Sequence, residues 1–290
     1  MTRKKFKLRL SSGAISLGER TLLMGVLNVT PDSFSDGGKF IDPERAVEHA
    51  LAMQRDGADL LDVGAESTRP GSTGISAAEE LRRLLPVLEM LRVKLKIPIS
   101  IDTRKSVVAE VALGAGAQII NDVSGLRTDP RLAHVAAKSK APLILTHMRG
   151  SPSTMQKGPF ARNVLKEALT GLRRSVALAR EAGLAKSQIV IDPGIGFGKS
   201  FSQNYQLLAQ LPEFAKLGFP ILVGTSRKGF LGKTLAKNGK PAPASERLWG
   251  TAATVTATIL LGAHIVRVHD IAEMAQVARV TDQILTSSPP

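Results

Sequence analysis

Apolar residues fall in short, β-branched runs at 21–28 (TLLMGVLN), 59–64 (DLLDVG), 97–102 (IPISID), 117–122 (AQIIND), 142–147 (PLILTH), 188–192 (QIVID), 220–226 (PILVGTS) and 263–269 (AHIVRVH). Each run is continuous rather than alternating, which is the pattern of a strand covered on both faces and so predicts a parallel sheet. Amphipathic stretches separate the runs. "DPERAVEHALAMQRDGA" opens with Asp42 as an N-cap ahead of Pro43, and "SAAEELRRLLPVLEMLRVKL" places Ser76 and Glu79 at capping-box spacing. Eight βα units without a break in composition predict one closed (β/α)8 barrel domain over residues 1–290, in preference to an open doubly wound sheet. Ahead of the first barrel strand, "FKLRLSSGAISLG" has turn residues in its middle and predicts a hairpin that closes the barrel bottom. The stretch "AKNGKPAPASE" at 236–246 reads as a mobile loop.

Composition narrows the function classes. With 43% hydrophobic and 22% charged residues the chain is an ordinary folded protein, long enough for a full core. It has no cysteine, so disulfides and thiolate metal sites are excluded. The basic opening "MTRKKFKLRL" lacks the apolar centre of a signal peptide. No stretch approaches the roughly 20 uncharged apolar residues that span a bilayer. A cytoplasmic location is expected, with no membrane partner. The net charge of +14 is compatible with nucleic acid, an anionic membrane surface or an anionic substrate. Because the basic residues are dispersed and aromatic residues make up only 4%, base stacking is poorly provided for and no nucleic-acid partner is expected; the charge reads as that of a basic proteome, with which an anionic substrate is compatible.

In a barrel of this kind the active site forms at the C-terminal ends of the strands. Read in order, those ends carry Asn28, Asp62 with "AESTRPGSTG", Asp102, Asn121 with Asp122, His147, Asp192, Ser226 to Lys228, and Arg267 with His269. A single polar residue at a strand end is often a cap. Convergence of so many on one rim points to a ligand. Two carboxylates and an amide, Asp102, Asp192 and Asn121, suit a ligand edge rich in N–H donors, such as a guanidine-like heterocycle, while Lys228 would face an acceptor. Arg69, Lys228, Arg267 and His269 add cationic groups, and phosphate sites in these barrels commonly follow strands seven and eight. His49 and His134 fall on helices, His264 begins a strand and reads as structural, and His147 stays a candidate. There is no clustered metal cage. Any metal is expected to be magnesium, held by one or two side chains and by substrate phosphate oxygens.

"IVIDPGIGFGKS", 189–200, resembles a nucleotide loop and fails as one. Pro193 stands where a Walker loop needs its first glycine, and Lys199 where a dinucleotide fingerprint needs its third. What remains is Asp192 at a strand end, followed by glycines that let the chain turn.

These residues sit in stretches that closely resemble the dihydropteroate synthase family: "GVLNVTPDSFSDGG" (25–38), "DVGAESTRPGS" (62–72), "SIDTRK" (100–105), "INDVSG" (120–125), "DPGIGFGK" (192–199), "GTSRKGFLG" (224–232) and "RVHD" (267–270). The resemblance covers nearly the whole chain. It implies a TIM barrel of homodimeric habit that condenses (7,8-dihydropterin-6-yl)methyl diphosphate with p-aminobenzoate, releasing pyrophosphate, in folate synthesis, and that sulfonamides target. It implies further that Asp102, Asn121, Met148, Asp192, Lys228 and Arg267 bind the pterin. By the same likeness Asp102, Lys228 and Arg267 are catalytic, and Asn28 holds Mg²⁺. The diphosphate would lie against Asn28, Thr68, Arg69, Arg267 and His269, and p-aminobenzoate against Thr68, Pro70, Phe197, Lys228 and Gly229. Loops 29–41 and 65–75 would close over the site. Gly229 departs from the pattern, since some relatives carry there a serine that contacts the benzoate. A methyltransferase on the same barrel would need the carboxylates but no diphosphate clamp, and a basic binding protein would need neither.

Overall fold

The computed structural model describes residues 3–30, 42–67 and 71–287. An N-terminal hairpin pairs β1 (Phe6–Leu10) with β2 (Gly13–Leu17), antiparallel, Phe6 opposite Leu17. The eight apolar runs then form β3 (Leu22–Asn28), β4 (Leu60–Gly64), β5 (Ile99–Asp102), β6 (Ile119–Asp122), β7 (Leu143–Thr146), β8 (Ile189–Asp192), β9 (Leu222–Val223) and β10 (Ile265–Val268). They make one parallel sheet in the order β8-β7-β6-β5-β4-β3-β10-β9. Its two ends meet where Ile191 bridges Ile221 and the Ile191 N–H donates to the Pro220 carbonyl at 3.0 Å. The sheet is therefore a barrel. β9 is shorter than its apolar run because the chain beyond Val223 leaves the sheet, carrying Ser226 and Lys228 toward the mouth.

Around the barrel run α1 (Pro43–Arg55), α2 (Ala77–Lys94), α3 (Ser106–Gly114), α4 (Arg131–Lys138), α5 (Val164–Glu181), α6 (Phe201–Ala209), α7 (Leu211–Ala215), α8 (Gly229–Thr234), α9 (Leu248–Leu260) and α10 (Ile271–Thr286). The sequence caps hold. The Asp42 side chain accepts from the Glu44 and Arg45 N–H groups, and the Ser76 hydroxyl accepts from Glu79 N–H at 3.2 Å.

Alternation along the strands decides what lies inside. Successive strand residues point to opposite faces, and here one face packs on helices while the other fills the barrel. Leu23, Leu61, Ile101, Ile120, Leu145, Ile191 and Val266 join the helices in the larger core. Leu22, Met24, Leu60, Ile119, Ile144, Val190, Leu222 and Ile265 form a second, inner core with Leu8 and Leu17 of the hairpin. The hairpin thus seals the barrel bottom, as the sequence suggests. Leu17 is fully buried there. Leu17→Ala is expected to lower the unfolding free energy by about 2–5 kcal/mol, the usual cost of a large cavity, in a urea titration. A loss under about 1 kcal/mol would mean that the hairpin is not part of the seal.

The stretch 236–246 is exposed at every position but one, as a surface loop should be, and it has one anchor. Its Ala242 is buried, with its N–H on the Gly232 carbonyl (2.9 Å) and its carbonyl accepting from Arg247 Nε (2.8 Å). Tertiary hydrogen bonds thus pin one point of a segment that is otherwise solvent-exposed.

Candidate active site at the barrel mouth

One step of two residues up each strand from the inner apolar layer, the side chains turn polar. Leu60 leads to Asp62, Ile119 to Asn121, Ile144 to Thr146, Val190 to Asp192 and Ile265 to Arg267, while on β5 a buried serine, Ser100, precedes Asp102. Arg267 is the hub. Its Nε donates to Asp62 Oδ2 at 2.6 Å and its Nη2 to Asp102 Oδ2 at 3.1 Å, with 23% of the side chain exposed. Asn121 Nδ2 donates to the same Asp62 oxygen at 2.9 Å. A carboxylate only accepts, so Asp62 turns the amide with its NH₂ inward and leaves Asn121 Oδ1 as an acceptor. Among the described residues, Asn121 Oδ1 and Asp62 Oδ1 are buried without a hydrogen-bond partner. Such atoms are costly unless a ligand's donors meet them.

Asp192 completes the acceptor set. Its Oδ1 accepts from the Gly194 N–H at 2.7 Å, and Thr146 Oγ1 lies 3.5 Å from Oδ2. Gly194 has φ +73°, and a Cβ there would stand 1.9 Å from the His147 carbonyl. Only glycine can make this turn, so the glycines after Asp192 shape the loop, as their failure to fit a phosphate motif implied. Gly64 has a second use: a Cβ on it would reach 3.2 Å from Asp102 Cβ, so its absence makes room for that carboxylate.

Opposite charges share little space here, and burial governs their protonation. Burial pushes the Asp102 carboxyl up to about 7, with Asp62 adding to the rise and Arg267 opposing it. Burial also raises Asp192, against the pull of Lys228. Lys228 is lowered to about 8 by burial, which Asp192 partly offsets. For Arg267, burial disfavours the charge, but Asp62 and Asp102 outweigh it and keep the guanidinium above its ordinary value. Lys228 Nζ donates to the Ile195 carbonyl and stands 4.5 Å from the Phe197 ring centroid.

The remaining candidates lie around this cluster. Met148 is buried beyond the end of β7. Asn28 ends β3 on the inner face, in register with Gly64, and is partly exposed. The His269 backbone N–H donates to Ser226 Oγ at 3.2 Å, and that hydroxyl lies 2.9 Å from His269 Nδ1, which fixes the imidazole at the rim. Gly229 opens α8 exposed, and a Cβ there would meet nothing within 4 Å. Thr68, Arg69 and Pro70 lie outside the described residues, as do 31–41 of the first loop. Beside the second of these gaps Glu66 is buried and anchors its loop, accepting from Ile75 N–H (3.2 Å), Arg104 (2.9 Å) and Lys105 (3.0 Å).

A family profile described as pterin binding enzyme matches residues 24–269, which spans the barrel from β3 to its last strand end. The dihydropteroate synthase of Synechocystis is 49% identical over 267 residues, covering 92% of this chain and 91% of that protein. The chain belongs to the dihydropteroate synthase family of pterin-binding enzymes. Two solved family members agree in fold. The dihydropteroate synthase of Clostridium difficile, crystallised in the presence of pteroic acid, superposes with a TM-score of 0.86 at 45% identity, over 92% of this chain and 98% of that one. That of Xanthomonas albilineans, solved with 4-aminobenzoic acid, gives 0.89 at 39% identity over 99% and 100%. The barrel with its small hairpin is thus the family's fold.

Sequence reasoning placed Asp62 at a strand end but left it out of the pocket set. The two-residue step from Leu60 would have found it. Asp122, by contrast, faces outward and caps its own loop, accepting from the N–H groups of Ser124 (2.8 Å) and Leu126 (2.5 Å). His264 is structural as expected, accepting from Ile221 N–H at 3.1 Å and lying 2.9 Å from the Lys4 carbonyl. His49 and His134 are exposed on α1 and α4.

Proposed function

We propose that this chain is a transferase that condenses (7,8-dihydropterin-6-yl)methyl diphosphate with p-aminobenzoate to give 7,8-dihydropteroate and pyrophosphate. The observation that carries the reading is the inner-face cluster, in which Asp62 holds both Asn121 and Arg267 while Asp102 and Asp192 complete the rim. Asp192 and the free oxygen of Asn121 receive the N–H donors of the pterin, Lys228 donates to its acceptors, and Met148 packs on its ring. Arg267 spans the two halves of the substrate, its guanidinium beside the ring and reaching the diphosphate with Asn28, His269, Thr68 and Arg69. Phe197 and the open space over Gly229 border p-aminobenzoate with Lys228, and the family likeness adds Thr68 and Pro70 to its contacts.

In the reaction the methylene C–O bond breaks, its electron pair leaves on the pyrophosphate, and the ring delocalises the resulting cation. Asp102 and Asp192 stabilise that positive ring electrostatically, while Arg267 and His269 hold the leaving group. The aryl amine then attacks the methylene carbon and sheds a proton, so no nucleophilic side chain is needed. Among the described residues no three acidic or histidine groups cluster as a metal cage. A single amide oxygen on the inner rim, that of Asn28, still suits Mg²⁺, which takes most of its ligands from substrate and water. When bound, the ion supplies charge neutralisation for departing pyrophosphate.

The same reading includes a cytoplasmic homodimer. No helix among the described residues is long and apolar enough to cross a membrane. Trp249 on α9 and Val280 and Ile284 on the adjacent α10 expose apolar surface suited to a second copy. The test is to supply dihydropterin diphosphate and Mg²⁺ with and without p-aminobenzoate, and to follow pyrophosphate and dihydropteroate. Amine-dependent formation of both is expected. Tight pterin binding without product would reject the synthase reading.

A further inference from the structure

Lys199 is fully buried, with 1% of its surface exposed, and no step of the proposed reaction uses it. Its ammonium donates to His147 Nδ1 at 3.0 Å and to the His147 carbonyl at 2.7 Å. Burying an ammonium is costly unless charge and hydrogen bonds compensate it. The compensation comes from the pterin pocket. Asp192 is the strongest attraction on Lys199, followed by Glu167 of α5, and Lys228 repels it.

The packing joins these groups into one unit. His147 N–H donates to the Asp192 carbonyl at 3.0 Å, which ties the ends of β7 and β8 together. The Gly194 N–H grips the Asp192 carboxylate, and Lys199 Nζ lies 3.0 Å from where a Gly194 Cβ would be. The same turn supplies the Ile195 carbonyl and the Phe197 ring that seat Lys228. Both lysines therefore pack on the turn that holds Asp192, Lys199 beneath Gly194 and Lys228 against Ile195 and Phe197.

We propose that Lys199 is a positioning residue for pterin recognition: clamped by His147 beneath the β8–α6 turn, it serves as the buried counter-cation that keeps Asp192 ionised and turned toward the ligand. The inference rests on Asp192 being the pterin carboxylate. An ammonium can only donate, so His147 Nδ1 accepts and the ring proton sits on Nε2. Burial, then Lys199, Arg127 and Arg149, hold His147 well below its ordinary value, so the positive charge belongs to the lysine. Burial lowers Lys199 to about 7, and the groups facing it are His147, Asp192, Lys228 and Glu167. Against the rise that burial imposes on Asp192, Lys228 and the Gly194 N–H favour its charge most, with Lys199 and then Arg267 adding to them. As pH rises through that value Lys199 loses its proton, Asp192 loses a counter-charge, and pterin affinity falls.

The experiment measures the affinity of 6-hydroxymethylpterin, which has no diphosphate to titrate, from about pH 6 to about pH 8 for the wild type, Lys199→Arg and Lys199→Met. The ligand's own titration is common to all three, so differences belong to position 199. The wild type is expected to weaken about tenfold over that range, one pKa unit's worth, beyond whatever Lys199→Arg shows. Arginine keeps its charge throughout, so its profile is flatter, with the later loss set by Lys228. Lys199→Met is expected to bind about tenfold more weakly at pH 6. Identical profiles for wild type and Lys199→Arg, or wild-type affinity for Lys199→Met at pH 6, would overturn the proposal. Should Lys199→Met not fold, the comparison of wild type with Lys199→Arg decides it alone: a steeper wild-type profile supports the assignment and identical profiles reject it. Absence of any pterin binding by the wild type would instead refute the pterin reading itself.

Discussion

Asp192→Ala is expected to abolish measurable pterin binding while the barrel still folds. The substitution removes the acceptor that faces the ligand, orphans the Gly194 N–H, and leaves Lys228 and Lys199 without their shared carboxylate. A pocket that recognises N–H donors through a buried acceptor typically discriminates by about 10⁴-fold, because the unpaired donors find no substitute. Asp192→Asn separates charge from shape, since its amide oxygen can still accept from Gly194. It is expected to lose nearly as much, because an NH₂ group would then meet the ligand's own donors. Calorimetric titration with a pterin, alongside a thermal melt, measures both. Normal affinity in the alanine variant would remove Asp192 from the pocket.

Arg267→Ala should have consequences beyond the diphosphate. Read from sequence, Arg267 is a phosphate clamp whose loss mainly weakens diphosphate binding. In the fold it is also the partner of two buried carboxylates, Asp62 and Asp102. Removing one member of a buried ion pair commonly costs about 3–5 kcal/mol, since the remaining charge is uncompensated. The pH dependence has a definite sign. Asp102 sits at about 7 with Arg267 present, and Arg267 is one of the charges lowering it, so the variant's carboxyl titrates higher. Below about pH 7 Asp102 is protonated in both proteins and this part of the deficit is absent. Above it the wild type ionises Asp102 more readily, so the variant's deficit grows as pH rises. Urea unfolding of both proteins at about pH 6 and about pH 9 reads the difference. An equal deficit at the two values would show that Arg267 does not govern the ionisation of Asp102.

The barrel was legible because burial of both strand faces makes each strand a continuous apolar run, and the hairpin because its turn residues break one. That same continuity concealed which residues face inward. Asp62 has Leu61 and Val63 on either side and reads as an isolated polar residue until the strand is placed in the barrel. Lys199 was visible only as the residue spoiling a glycine motif, since nothing local reveals that His147, 52 positions earlier, folds against it. The 236–246 segment was legible as a solvated loop from its composition, but its anchor was not, because the bonds from Gly232 and Arg247 that hold Ala242 are tertiary. Asp102, Asn121, Asp192, Lys228 and Arg267 were legible as a group because their strands deliver them to a common end.

The hairpin at the foot of the barrel also fixes the traffic of the reaction. With Leu8 and Leu17 stopping the lower end, the barrel is a blind vessel with one doorway. The proposed pterin seat lies down among the inner strand ends, whereas the benzoate seat borders the rim at Phe197 and Gly229. Both substrates of the proposed reaction therefore share that doorway, and the long three-ring product leaves by the way its halves came in.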